Sequence, residues 1–280
     1  MTERTAATAV KVGEVTCRIL SDGHALYPTE LIFAGIDHAT LEAELGPRLQ
    51  DGQVSSTYHC ALLETPTARV LLDTGLGKLA EVMGAPAGHL ISALATAGYV
   101  PDDIDVVLLS HAHPDHIGGL LTNGKVTFQR AGHVMSAVEW GYWTSENSLS
   151  QLPEIMAAPA RMLLPPLDKA GVIELITHDT EVVPGVHLLS APGHTPGHCV
   201  VAVDSGASML TLLADTILDE LQFVHQDWVS TLDHLPDQTV ATRKRLLADA
   251  AANNAELLAH HIGHFGHVET ATRGYMWHTS

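Results

Sequence analysis

The sequence predicts an α/β layered fold with sheets covered by helices. Three observations predict it. Short apolar strands lead into helical stretches twice, at 79–98 and at 239–253. Residues 104–110 form a continuous apolar run, the pattern of a strand buried on both faces. Polar, histidine-rich clusters follow several such runs directly, and in layered α/β folds function collects in the loops at strand ends.

Two short strands open the readable pattern, at 54–64 and 68–73, around a Thr-Pro turn. The second ends in Leu71-Leu72-Asp73-Thr74-Gly75-Leu76-Gly77. Residues 79–98 have helical spacing, with Gly98 as the stop. The strand at 104–110 runs straight into a histidine cluster, and 126–130 reads as another short strand. The stretch 137–166 differs: it carries Trp140, Tyr142, Trp143 and several prolines with weak periodicity, and is expected to be a helical or irregular lid insertion. Strands follow at 186–190, 199–204 and 209–214, then the helix at 239–253 and a strand at 256–259. Neither a repeat nor a linker divides the chain, so 1–280 is expected to be one domain.

A chain of 280 residues, 46% hydrophobic and 16% charged, can bury a sizeable core. Its net charge of −18 repels phosphate backbones and anionic lipid headgroups, so neither nucleic acid nor membrane is an expected partner. Residues 1–15 lack the apolar core of a signal peptide, and no apolar run approaches the roughly 18 residues of a membrane span. Cys17, Cys60 and Cys199 are odd in number and far apart, so no disulfide framework follows and a reducing cytoplasm is the expected compartment. Histidine is abundant, at 19 residues against 14 Lys plus Arg, and many of these residues end apolar runs.

The segment His111-Ala-His113-Pro-Asp115-His116 places three imidazoles and a carboxylate in a tight loop. Neutral imidazole and carboxylate oxygen are ligands for zinc and similar divalent ions. Four such groups in six residues cannot face one ion without strain. Alternation sends His111 and His113 to one side and Asp115 and His116 to the other, which suggests two ions. Pro192-Gly193-His194-Thr195-Pro196-Gly197-His198 adds a sharp loop, with His194 favoured as ligand and His198 as a packed residue. Asp215 ends the apolar run before it. A lone Asp there is ordinarily a cap or turn former, but two neighbouring cations need an anionic bridge, and Asp215 is the candidate. Ala259-His260-His261-Ile262-Gly263-His264 follows another apolar strand.

These segments resemble the metallo-β-lactamase superfamily, whose signature is HxHxDH followed by a distant His, a bridging Asp and a last His. The resemblance spans nearly the whole chain and implies an αββα sandwich with two metals at one edge of the sheets. It implies that His111, His113 and His194 hold the first ion, that Asp115, His116 and a terminal His hold the second, and that Asp215 bridges both. Asp73 resembles a residue that orients a ligand imidazole from behind. The terminal ligand is His260 or His261; the apolar residue that usually follows it favours His261.

The Pro-Gly-His-Thr-Pro-Gly-His loop, the Phe-Gly-His-Val tail and the segment 233–247 look most like the branch of quorum-quenching lactonases and methyl-parathion-type organophosphate hydrolases. Several lactonases place a Tyr three residues beyond the bridging Asp, against the substrate carbonyl; here Leu218 stands there. The resemblance implies a binuclear hydrolase in which a metal-bridging hydroxide attacks a lactone, ester or phosphotriester, with Asp115 passing a proton to the leaving group. Zinc is the expected ion, with manganese, cobalt and iron compatible with the same N/O donors. The partner expected is a small molecule of low charge, and relatives are often homodimers. Trp140, Tyr142, Trp143, Phe223 and Trp228 are candidate pocket walls, because aromatic residues are otherwise scarce. A glyoxalase II-like thioesterase and a mononuclear iron persulfide dioxygenase stand as alternatives, which a metal count and a substrate panel separate.

Overall fold

The computed structural model describes residues 8–206 and 208–280; residues 1–7, which begin the stretch read for a leader, lie outside it. Five strands open the first sheet: β1 (Ala9–Val12), β2 (Val15–Pro28), β3 (Gln53–Glu64), β4 (Arg69–Leu72) and β5 (Val106–Leu109). A small ribbon of β6 (Leu121–Thr122) and β7 (Lys125–Val126) intervenes before β8 (Gly132–Ser136) and β9 (Ile173–Ile176) complete that sheet in the order β1-β2-β3-β4-β5-β8-β9. The second sheet runs in sequence order through β10 (Thr180–Val183), β11 (Val186–Ser190), β12 (Cys199–Ser205), β13 (Ser208–Ala214), β14 (Glu256–Ala259), β15 (Gly266–Thr270) and β16 (Tyr275–Thr279). Pairing is parallel from β4 through β5 and β8 to β9, and between β13 and β14.

Side-chain alternation explains both the continuous apolar runs and the layering. Val70 and Leu72 of β4 and Leu108 of β5 face inward, where they meet Val201, Leu212 and Leu258 of the second sheet. Leu71, Val107 and Leu109 face outward and are covered by Leu90, Leu94, Ala157, Ala160 and Leu163 from helices. On the far side, Val200, Leu213 and Leu257 are covered by Leu246, Leu247 and Ala250 of the helix Pro236–Asn253. Each central strand is therefore buried on both faces, and the four layers are α, β, β, α, as expected.

Two local expectations differ from the structure, and a third takes a definite form. The stretch 79–98 is not one helix but two, Leu79–Met83 and Leu90–Thr96. Gly84 turns left-handed at φ 64° and caps the first, and Pro86 follows it. Of the strand read at 126–130 only Val126 is in a strand, the second residue of β7, which pairs with β6, while β8 takes the edge of β5. The 137–166 stretch is a chain of short helices from Ala137–Trp143 to Glu154–Leu163. It is helical, Trp143, Leu149, Ala157 and Leu163 pack it against the first sheet, and Pro153, Ile155 and Met156 line the cavity described below.

Candidate metal centre

Strand ends bring the donors together. β5 delivers His111 and His113, and Pro114 then opens a helical turn, Pro114–Ile117, at the first position, where proline's missing N–H is no loss. That turn separates Asp115 and His116 from the two preceding histidines. The end of β11 leads to His194, the end of β13 to Asp215, and the end of β14 to His260 and His261. Asp73 and Ala214, just beyond β4 and at the end of β13, have positive φ of 62° and 44°. Left-handed backbone at non-glycine residues is uncommon, and it concentrates where function imposes a geometry.

Two groups of donors result. His111, His113, His194 and Asp215 form one, and Asp115, His116, His260 and His261 form the other. The two groups separate His111 and His113 from Asp115 and His116. Asp215 lies between them: its Oδ2 is 3.3 Å from His194 Nε2, 3.6 Å from His111 Nε2 and 3.3 Å from His261 Nε2, while its Oδ1 is 3.1 Å from His116 Nε2. His260, passed over in favour of His261, is also in the second group, with Nε2 3.9 Å from Asp115 Oδ2, against 3.7 Å for His261.

The donors fit metal ions. Nε2 of His111, His116 and His260, and Oδ1 of Asp215, are buried without a hydrogen-bond partner, and His113 presents its Nδ1 to the same place, 3.0 Å from His194 Nε2. Unpaired buried polar atoms are rare, and here they converge. Burial drives His111 and His113 well below the usual imidazole range, so both are neutral with a lone pair to offer. Burial opposes charge on His116 as well, but the Asp215, Asp73 and Asp115 carboxylates outweigh it and hold that ring well above the usual range. A cation in the same place would take over the role of that proton.

The rings are held from behind. Asp73 accepts from Ser110 N and Oγ at 2.8 Å each and lies 2.8 Å from His116 Nδ1, so it fixes both the loop and the ring. His261 Nδ1 lies 3.1 Å from the Thr57 carbonyl, which directs its Nε2 toward Asp115 and Asp215. Sequence reasoning missed two comparable residues. Asp233 lies 2.9 Å from His194 Nδ1, and its carboxylate also accepts from Ser230 N. Glu139 is fully buried and accepts from Ala112 N, Thr195 Oγ1 and Gly197 N, which ties the His111–His116 loop to the His194 loop. No spacing signalled either residue, since each meets its partner only across layers. Gly197 permits this approach, because a Cβ there would lie 2.1 Å from Glu139 N. His198 is not among the donors. Its Nδ1 faces the Ala191 carbonyl, its Nε2 accepts from Asp215 N at 3.2 Å, and burial lowers its pKa to about 3.

A family model of the metallo-beta-lactamase superfamily matches residues 56–261. The chain belongs to that superfamily. An N-acyl homoserine lactonase from a Bacillus species is 32% identical over 199 residues, covering 63% of this chain and 70% of that enzyme. One from Bacillus thuringiensis is 29% identical over 236 residues, covering 75% and 82%. Among solved structures, the dizinc quorum-quenching lactonase AidC, in complex with the product N-hexanoyl-L-homoserine, superposes with a TM-score of 0.83 at 29% identity, covering 97% and 96%. The hydrolase AbOPH shares the fold with a TM-score of 0.88 at 23% identity, over 100% and 99%. The protein is thus a metallo-beta-lactamase-fold enzyme, a metal-dependent hydrolase of ester bonds.

In this member of the superfamily the centre opens on an apolar cavity of ≈ 270 Å³. Its walls include Leu31, Ile32, Met83, Ile155, Met156 and Leu218, with Asp115, Asp215 and His261 at the base. The aromatic candidates for this wall are elsewhere. Trp143 is fully buried behind the centre, its ring 5.4 Å from that of His113. Trp140 packs on the first helical layer beside it. Phe223 stacks on Trp277 at 4.5 Å, and Trp228 on His225 at 3.8 Å. Trp143, Phe223 and Trp228 are buried in the core, and Trp140 is partly buried against it. The wall is aliphatic, and its residues look like core in the sequence. No helix among the described residues is long and apolar enough to cross a membrane.

Proposed function

We propose that the chain is a binuclear hydrolase acting on lactones, with aryl esters and phosphotriesters as further substrates of the same site. One observation carries this reading: two donor groups meet at Asp215, within 3.3 Å of His194 and His261 and 3.1 Å of His116, and both contribute to the lining of an apolar cavity. The lactonase names of its relatives support the substrate class. His111, His113 and His194 would hold one ion, Asp115, His116 and His261 the other, with His260 beside them and Asp215 between. Two divalent ions, zinc foremost, would supply a water acidic enough to ionise near neutral pH and an electrophile for the scissile oxygen. The aliphatic wall excludes water and holds an apolar substrate chain. Asp233, Asp73 and the Thr57 carbonyl keep imidazole nitrogens aimed at the centre. The Asp115 carboxylate, which lines the cavity, would carry a proton to the leaving group.

An activity panel of lactones, phosphotriesters, aryl esters and thioesters on metal-loaded protein tests the reading. Lactone hydrolysis with about two ions per chain is the expected result. Inactivity across the panel with both ions bound refutes it, and a single bound iron points to the dioxygenase. D115N with full activity and metal content refutes the proton-carrying role.

A further inference from the structure

Of the side chains that line the cavity, all are aliphatic, methionine or proline except the candidate donors and Tyr27. Tyr27 lies one residue before the end of β2, and Tyr58 comes from the paired strand β3. Their hydroxyl oxygens are 2.5 Å apart. The hydrogens of this pair can be assigned by counting. Each phenol carries one, and one hydrogen bond between them uses one. Tyr58 is completely buried, and among the described residues its hydroxyl has Tyr27 as its partner. A buried O–H left without an acceptor is costly, so Tyr58 donates and Tyr27 accepts. The Tyr27 hydrogen is then uncommitted, on a residue that faces the cavity beside Asp115 and Asp215. Accepting from Tyr58 also makes Tyr27 the stronger donor, because successive hydrogen bonds polarise one another. Leu218, on the same wall, offers no polar atom.

We propose that Tyr27 is a catalytic residue of this chain: its hydroxyl donates a hydrogen bond to the substrate oxygen on which negative charge develops, and Tyr58 positions it. The proposal rests on the hydrolase reading for its kinetic consequence and on the cavity alone for its binding consequence. The bond is not a proton transfer, so the phenol is neutral before and after. The ring of Tyr58 also meets the His261 ring edge-on at 5.7 Å, so one short strand register sets the donor and a metal-site imidazole together.

The test compares Y27F, Y58F and Y27F/Y58F in the metal-loaded protein. Y27F is expected to lower kcat on a lactone by about 10²-fold, the lower end of what loss of one oxyanion donor costs, with metal content unchanged. The double variant should match Y27F, and Y58F should fall between it and wild type. A purely structural pair gives the opposite order: Y27F strands the Tyr58 hydroxyl, and the double variant, free of stranded hydroxyls, recovers toward wild type. That recovery overturns the proposal, as does full activity of Y27F. Calorimetric titration with hexanoate, a carboxylate with an apolar tail, gives a readout independent of turnover. Wild type should bind it several times more tightly than Y27F. Equal affinities, or no binding by wild type, overturn the proposal even if the hydrolase reading stands. If wild type is inactive on every substrate, the hydrolase reading falls and hexanoate still decides the Tyr27 contact.

Discussion

The two sides of the metal centre are built from the same residue types but stand in different surroundings. His111, His113 and His194 are buried, with Asp233 and Trp143 behind them and Glu139 tying their loops together. Of these three only His113 reaches the cavity, whereas Asp115 and His261 both line it from the other side, and Asp115 keeps about 13% of its side chain accessible. The more enclosed side is braced from behind, by Asp233 on the His194 ring and by Glu139 between the loops. The open side has to hold a cation and meet a substrate as well. Asp215 belongs to both, which makes it the one residue whose loss should not respect the difference.

Replacing Asp215 should therefore have the largest effect. D215N is expected to empty both sides and to lower kcat by at least about 10³-fold, as for groups that act as a unit. Metal analysis that shows one side still filled would break the comparison. Next come the carboxylates behind the rings. D233N should weaken metal affinity on the closed side by about 10–100-fold and D73N on the open side by a similar factor, each leaving the other ion in place. Competition with a chromogenic chelator reads both affinities, and coupled loss of the two ions would mean that the sides are not independent. The third prediction separates the neighbours at the end of β14. H261A should lower occupancy of the second ion and widen the cavity, whereas H260A should lower occupancy and leave the cavity wall intact, since His261 lines it and His260 does not. Crystallography of the two variants, with metal content, checks this.

The smallest effect concerns stability and pH. Burial raises the Glu139 carboxyl above its ordinary 4.5, against the pull of its hydrogen bonds to Thr195, Ala112 and Gly197. A folded-state acid with a raised pKa keeps its proton longer than the unfolded chain does. Its contribution is thus full below pH 4.5 and declines as pH rises toward the folded-state value. The slope is at most about 1.4 kcal/mol per pH unit for one proton. Denaturant titrations of wild type and E139Q across that range should show the decline in the first and its absence in the second.

The sequence readings succeeded where chemistry is local. The HxHxDH cluster carries its own division into two sides, because the Pro114 turn and the spacing of its donors are properties of six consecutive residues. The apolar runs at 104–110 and 209–214 mark buried strands because both faces of a central strand need the same residue types. The readings went astray where a residue's role depends on what the fold places opposite it. Trp140, Trp143 and Phe223 were scarce aromatics near the site in sequence, and the layers absorbed all three. Leu31, Ile155 and Met156 line the cavity and carry no mark that separates them from core.

The sequence by itself pointed to sheets covered by helices and to loops rich in imidazole and carboxylate donors, since periodicity and donor type are written in short stretches of chain. Only the tertiary structure decided that Asp233 and Glu139 brace the His194 loop, that His260 joins His261 beside Asp115, and that an aliphatic cavity with one phenol adjoins the candidate donors. The reason is physical. A carboxylate or an aliphatic side chain has no fixed role until packing decides whether it is covered, what it meets, and which face is left open.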